Sequence, residues 1–175
     1  DNIIYIPISS NMSKTYETSL LIEREFNGKV KTIDARSVAE FQGYEVRLAK
    51  RLVDEGKSFE EICDILENRG GNAIAYVIPE TLTYLKRGGR ITPAAAMLGN
   101  LIGLKPILML KDGMIDKFDA VRTVKKALLV AINEIAKSGI TPETHDLFIL
   151  HTNETERANE VVDMIHANDA LKDFN

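Results

Sequence analysis

The sequence predicts an α/β protein in two parts, a partial parallel-sheet domain followed by a mixed-sheet domain with helices. Up to Gly70 the chain alternates apolar runs and helical patterns as strand, helix, strand, helix, helix, the order that joins parallel strands through crossover helices. After Gly70-Gly71 the pattern changes. There, Asp112-Gly113 between two apolar runs is a hairpin signal, which requires an antiparallel pair. Further helical patterns surround that hairpin. The division is placed at residues 1–76 and 77–175, within the stretch from Gly70 to Pro79.

Taken in order, Ile3 to Ile8 is a nearly continuous apolar run, expected to be a strand buried on both faces. Ser9-Ser10-Asn11-Met12-Ser13 stops it with residues that favour turns and caps. Thr15 to Phe26 reads as a helix, with Tyr16, Leu20, Ile22 and Phe26 as its apolar positions. Val30 to Ile33 is a second strand. Ala39 to Glu55 carries Phe41, Tyr44, Leu48 and Leu52 on one stripe. Ser58 with Glu61 forms a capping box for a helix through Leu66. Ala73 to Ile78 is a third strand, and Thr81 to Lys86 a short helix ended by Gly88-Gly89. Thr92-Pro93 is an N-cap with a first-turn proline, opening an Ala-rich helix to about Leu101. Two hairpin strands follow, Pro106 to Leu110 and Met114 to Phe118. A helix from Thr123 to Lys137 presents Val124, Leu128, Ala131 and Ile135. Leu147 to Leu150 reads as a strand and Glu156 to His166 as the last helix.

Composition excludes more than it assigns. At 175 residues, 45% hydrophobic and 27% charged, the chain can bury a core without metals or disulfides. A formal charge of -4 gives no electrostatic reason to expect nucleic acid or an anionic membrane surface. No apolar run reaches the roughly 18 residues of a membrane helix. The single Cys63 lies in an apolar helical pattern, reads as a buried thiol, and points to a reducing, cytoplasmic setting. His145, His151 and His166 share no metal-ligand spacing with one another or with Cys63. No Ser-His-Asp order can be drawn either, so neither a catalytic nor a metal residue is assigned.

Three constellations remain. The loop Ser9 to Thr15 follows a strand and opens a helix, where ligands bind in open α/β sheets. Its hydroxyls and the free amides of the helix start suit an anionic head group, although simple capping by Ser13 or a neighbour fits as well. The turn Gly88-Gly89-Arg90 allows close backbone approach and offers a guanidinium to a carboxylate or phosphate. It has neither P-loop nor dinucleotide spacing; a helix C-cap glycine followed by a surface arginine fits it too. Arg122 stands at a helix entry, where the helix dipole disfavours a cation.

In this order the motifs resemble one family. Pro7-Ile8-Ser9-Ser10-Asn11-Met12-Ser13-Lys14-Thr15-Tyr16 is similar to the Ser-Ser-Gly-Leu-Ser-Gly-Thr-Tyr loop of DegV proteins. Leu82 to Ile91 is similar to that family's Leu-x-Tyr-Leu-x-x-Gly-Gly-Arg-Ile signature. Leu104 to Leu108, Asp112-Gly113 and Val121-Arg122 match its Lys-Pro-Ile, Asp-Gly and Val-Arg run. The resemblance implies a two-domain protein that holds a long-chain fatty acid between its domains, without a cofactor, and presents it to a partner kinase that phosphorylates the carboxylate. It implies that Ser10 binds the carboxylate, that Ser9 and Ser13 support the loop, and that Arg90 and Arg122 lie near the exposed head group. An elongated apolar tunnel with Ser10 at its polar mouth would follow in the complete protein.

The chain departs from the family pattern in several places. Asn11 and Lys14 replace the usual glycines of the loop, and Asp34-Ala35 stands where Asp-Ser is usual. Lys14 also adds a charge beside the expected carboxylate site. The chain starts at Asp1 with no initiator Met. The family's first strand, with its Thr-Asp-Ser segment, would precede Asp1, and its His-Thr-Gly-Pro-Gly segment would follow Asn175. The chain is therefore expected to be truncated at both ends and to hold only part of the site. The competing reading is an enzyme for a small phosphorylated metabolite, gripped by the serine loop and Arg90.

Overall fold

The computed structural model describes residues 1–100 and 102–174. Two sheets organise it. In the first, β1 (Ile3–Tyr5) pairs in parallel with β2 (Val30–Thr32), Ile4 opposite Lys31. The connection runs through α1 (Thr15–Glu23) and a 3₁₀ turn, Arg24–Phe26. Then come α2 (Glu40–Asp54) and α3 (Phe59–Arg69). Ile6, Ile33, Ala35, Leu52, Ile62, Cys63 and Leu66 form the core between this sheet and α2 and α3. The capping box at the start of α3 forms as expected, Ser58 accepting from the Glu61 amide and Glu61 from that of Ser58.

The second sheet has the order β3 (Tyr76–Val77), β4 (Lys105–Lys111), β5 (Met114–Val121), all antiparallel. Between β3 and β4 lie α4 (Thr83–Gly88) and α5 (Pro93–Met97), the latter continuing as a 3₁₀ turn, Leu98–Asn100. The Thr92 hydroxyl caps α5, with Pro93 in the first turn. Leu101, the expected end of that helix, lies outside the described residues. Asp112 and Gly113 both have positive φ, 50° and 72°. That is the two-residue turn whose twist matches its flanking strands. After β5 come α6 (Val124–Lys137), capped by Thr123, and α7 (Thr155–His166).

Four expectations change. The first strand is not buried on both faces: Ile3 is 56% and Tyr5 43% exposed. Among the described residues its sheet has two strands, and α2 and α3 cover one side of it. An open cavity of ≈ 570 Å³ adjoins β1, lined in part by Ile4, Tyr5, Val46, Val53 and Phe59. In α1 the expected apolar positions are not buried: Tyr16 and Leu20 are half-buried, Ile22 and Phe26 are exposed, and the buried residue is Ser19. In α6 the buried residues are Ala127, Ala131 and Ile132, so its buried face is rotated from the stripe expected.

Leu147 to Leu150 has no regular secondary structure and belongs to no ladder among the described residues. It still alternates. Leu147 and Ile149 pack on the core of Ile132, Ile165, Leu171 and Phe174. Phe148 turns the other way and meets Phe41 and Tyr44 of α2 edge-on, with ring centroids 6.4 and 6.2 Å apart. Period-two alternation follows from an extended backbone; a ladder also needs a partner strand.

Candidate functional site

The loop Ser9–Ser13 leaves β1 at its carboxyl end, beside the carboxyl end of the parallel β2, where α/β sheets place ligands. It is held from both halves of the chain. From the first half, the Ser37 carbonyl accepts from the Ser9 amide at 2.9 Å. The Asp34 carboxylate accepts from the Ser10 amide at 3.1 Å. From the second half, the hairpin tip sits on the loop. The Asn11 side-chain amide donates to the Asp112 carbonyl at 2.6 Å. Gly113 lies against Ser9 so closely that a β-carbon there would stand 2.1 Å from Ser9 Oγ. Met12 is buried in the second half's core with Leu82, Ile91, Ala95, Leu108, Leu110 and Ile115.

The three serines are not equivalent. Ser9 is fully buried and its Oγ accepts from the Asn11 amide at 3.2 Å. The Ser13 hydroxyl bonds with that of Thr15 at 2.7 Å and accepts from the Thr15 amide at 3.2 Å, so it is engaged at the start of α1. Ser10 is half-buried, and among the described residues its hydroxyl has no hydrogen-bond partner. Of the three serine hydroxyls, that of Ser10 is thus the one without a hydrogen-bond partner among the described residues.

Arg90 joins this group. Its Nε donates to the Met12 carbonyl at 3.3 Å, and its guanidinium also reaches the Gly88 carbonyl. Ile91 bridges to Ile115 of β5, and the Thr92 amide donates to the Ile115 carbonyl at 3.0 Å, which fixes the Gly88-Gly89-Arg90 turn beside the hairpin tip. Gly89 ends α4 in the left-handed conformation, φ 68°. An open cavity of ≈ 420 Å³ borders the turn, lined by Lys86, Gly89, Ile91, Pro93, Ala96 and Met97. Neither this cavity nor the one at β1 is lined by Ser9, Ser10 or Ser13.

Arg122 is not brought to the loop. It follows Val121, which pairs with Lys105 at the end of the hairpin away from Gly113. At the rise of a β-strand that is about 25 Å from the tip. Lys14 is highly exposed and forms an ion pair with Glu17 at 2.8 Å, so its charge serves the first turn of α1. Neither Asn11 nor Lys14 takes a positive φ, and replacing the family's glycines there costs no backbone strain.

Sequence reasoning noted Asp34-Ala35 only as a departure from the family pattern and gave the segment Asp34–Ala39, which backs the loop, no part in the site. Arg36 and Ala39 have positive φ, 46° and 56°, in side chains that disfavour it. Ser37 is 3% exposed, and its hydroxyl has no partner among the described residues. Positive φ outside glycine and an orphaned hydroxyl leave no mark in a sequence. Burial pushes the Cys63 thiol above its ordinary range. No group of three or more His, Cys, Asp or Glu gathers among the described residues in a way that could hold a metal. No helix among them is long and apolar enough to cross a membrane.

Fold and site together define an α/β protein with a parallel and an antiparallel sheet and a serine-rich loop clamped between its halves. The chain belongs to the DegV family, whose model matches residues 1–175. It is 33% identical to a DegV domain-containing protein of Clostridium perfringens, over 99% of this chain and 62% of that relative. A Thermus thermophilus structure described as fatty acid binding of a DegV family protein is 35% identical, covers 78% of this chain and 50% of its own, and has a TM-score of 0.68. A DegV family structure from Ruminococcus gnavus, refined with vaccenic acid, is 25% identical and covers 98% of this chain and 63% of its own, with a TM-score of 0.81. The chain thus spans about three-fifths of the length of the Clostridium and Ruminococcus relatives.

Proposed function

We propose that the protein binds a long-chain fatty acid and carries no catalytic centre of its own. In this reading the acid's carboxylate takes a hydrogen bond from the Ser10 hydroxyl, Ser9 and Ser13 hold the loop, and Arg90 supplies positive charge at its edge. The observation that carries the reading is the uncommitted Ser10 hydroxyl, in a loop whose neighbouring hydroxyls are engaged and which is clamped against an apolar core. The Thermus and Ruminococcus relatives, crystallised with or described as binding fatty acids, support the same ligand class. The division into domains 1–76 and 77–175 belongs to this proposal, with the ligand between them.

We further propose that the bound carboxylate is presented to a partner kinase, whose product is an acyl phosphate. Arg122, exposed about 25 Å along the hairpin, is assigned to that partner's footprint rather than to the carboxylate itself. A cytoplasmic location, where ATP and a reduced Cys63 coexist, fits this role.

The test is mass spectrometry of an organic extract from the purified full-length protein. A stoichiometric long-chain fatty acid is expected, and supplying ATP with cell extract should yield an acyl phosphate that hydroxylamine traps. If no such acid is recovered and none binds at micromolar concentration, the lipid reading fails. Recovery of a phosphorylated metabolite instead would favour the enzyme reading.

A further inference from the structure

We infer that Asp34 is a positioning residue for the ligand loop, setting where the Ser10 hydroxyl stands by holding the Ser10 amide. The inference rests on the fatty-acid reading of the same loop and adds a residue which that reading does not contain.

Asp34 lies just past β2, so its side chain starts at the carboxyl end of the strand next to β1. One carboxylate oxygen, Oδ1, accepts from the Ser10 amide at 3.1 Å and from the Arg36 amide at 2.9 Å. The second bond closes a tight Asx turn. It also holds Arg36 at φ 46°, a conformation which a non-glycine residue keeps only when its surroundings enforce it. The turn's next residue, Ser37, takes the Ser9 amide on its carbonyl. Two successive amides of the ligand loop therefore dock on one four-residue segment.

That segment is itself braced. A β-carbon on Gly70 would come 3.1 Å from the Asp34 carbonyl, and one on Gly71, at φ 90°, 3.4 Å from the Arg36 side chain. The end of α3 thus packs directly behind the turn, while the hairpin tip closes it in front, 3.2 Å from the Arg36 carbonyl to a β-carbon built at Gly113.

The consequence for Ser10 follows from its donor inventory. A serine has an amide N–H and a hydroxyl. With the amide held by Asp34, the hydroxyl is the donor left for a ligand, and its origin is fixed by the same bond. Displacing a binding group by an ångström is enough to lose most of a directional hydrogen bond. What Asp34 supplies is an acceptor at a given point. Its negative charge is not needed, and beside an anionic ligand the charge is unfavourable.

The test is calorimetric titration of palmitate into the full-length protein, for wild type, Ser10→Ala, Asp34→Ala, Asp34→Asn and the Ser10→Ala/Asp34→Ala double variant, with unliganded thermal unfolding of each. Ser10→Ala and Asp34→Ala should each weaken binding by about 10- to 150-fold, the range for a hydrogen bond to a charged group. The double variant should be no weaker than either single one, because the two act through one contact. Asp34→Asn keeps the acceptor and should bind within about threefold of wild type even where its melting temperature falls, a rescue that a purely structural role would not give. Should Asp34→Ala fail to fold, Asp34→Glu moves the acceptor by one methylene and should weaken binding where Asn does not. Losses that multiply in the double variant, an Asn variant as weak as Ala, or an Asp34→Ala variant that binds like wild type would each overturn the inference while leaving Ser10 in the site. A wild-type protein that takes no palmitate, or an unchanged Ser10→Ala variant, would overturn the fatty-acid reading of the loop and this inference with it.

Discussion

Gly113 and Ser9, 104 positions apart in sequence, are in such close contact that a β-carbon on the glycine would stand 2.1 Å from the serine oxygen. This is where the hairpin of the second half closes over the loop of the first. Gly113→Ala meets two penalties, a positive φ of 72° and overlap with Ser9 and the Arg36 carbonyl. Gly56 has a φ of 79° with open space around it, so Gly56→Ala meets the first penalty alone. Denaturant unfolding should show Gly56→Ala destabilised by about 1–2 kcal/mol and Gly113→Ala by about 1–3 kcal/mol more. Equal losses for the two variants would mean that the hairpin tip does not press on Ser9.

Ser37 carries a buried hydroxyl without a partner among the described residues. Removing an unsatisfied polar group relieves a desolvation cost, so Ser37→Ala should leave stability unchanged or raise it by about 1 kcal/mol. A loss of more than that in thermal unfolding would show that the hydroxyl is bonded after all. A loss of palmitate affinity without a loss of stability would place it among the ligand's contacts.

Phe148 ties the irregular segment before α7 to α2 through Phe41 and Tyr44. Two edge-to-face contacts are worth about 1–3 kcal/mol together beyond the area they bury. Phe148→Ala should cost at least that in unfolding free energy, and Phe148→Leu, which keeps apolar area, should recover part of it. An unaffected Phe148→Ala variant would show the contact to be incidental.

Glu45 gives a pH signature. Burial pushes its carboxyl above the ordinary value of 4.5, opposed by the nearby Arg69 guanidinium, and among the described residues its Oε2 has no partner. Because the folded value is raised above the unfolded one, the stability this group contributes is complete below the unfolded value and is lost as pH rises through the folded value. The stability of Glu45→Gln relative to wild type should therefore increase as pH rises from the unfolded carboxyl value through the raised folded one, and level off above it. A difference that shrinks over that range would mean that the Arg69 pair outweighs burial.

Much of the fold could be read from local chemistry. Asp112-Gly113 announced its turn because both residues tolerate the positive φ that turn needs, and Ser58 with Glu61 and Thr92 with Pro93 announced helix starts through their own side chains. What stayed hidden depends on partners far away in the chain. The run from Ile3 looks like a strand buried on both faces, but burial is decided by what covers it, and Ile3 and Tyr5 are exposed. Leu147 to Leu150 alternates like a strand yet has no ladder among the described residues. At the site, Ser9 to Ser13 and Arg90 stood out by residue type. That Arg90 bonds the Met12 carbonyl, that Met12 enters the other half's core, and that Arg122 stands at the opposite end of the hairpin follow only from tertiary packing.

The central claim, that the loop offers its Ser10 hydroxyl to the carboxylate of a fatty acid, is tested most directly by the carboxyl ¹³C resonance of [1-¹³C]palmitate bound to the full-length protein. Wild type should give a single shifted resonance in slow exchange, and Ser10→Ala should move that resonance toward the free position while weakening affinity by about 1.5–3 kcal/mol. An identical resonance and affinity in the two proteins would contradict the claim and place the carboxylate elsewhere.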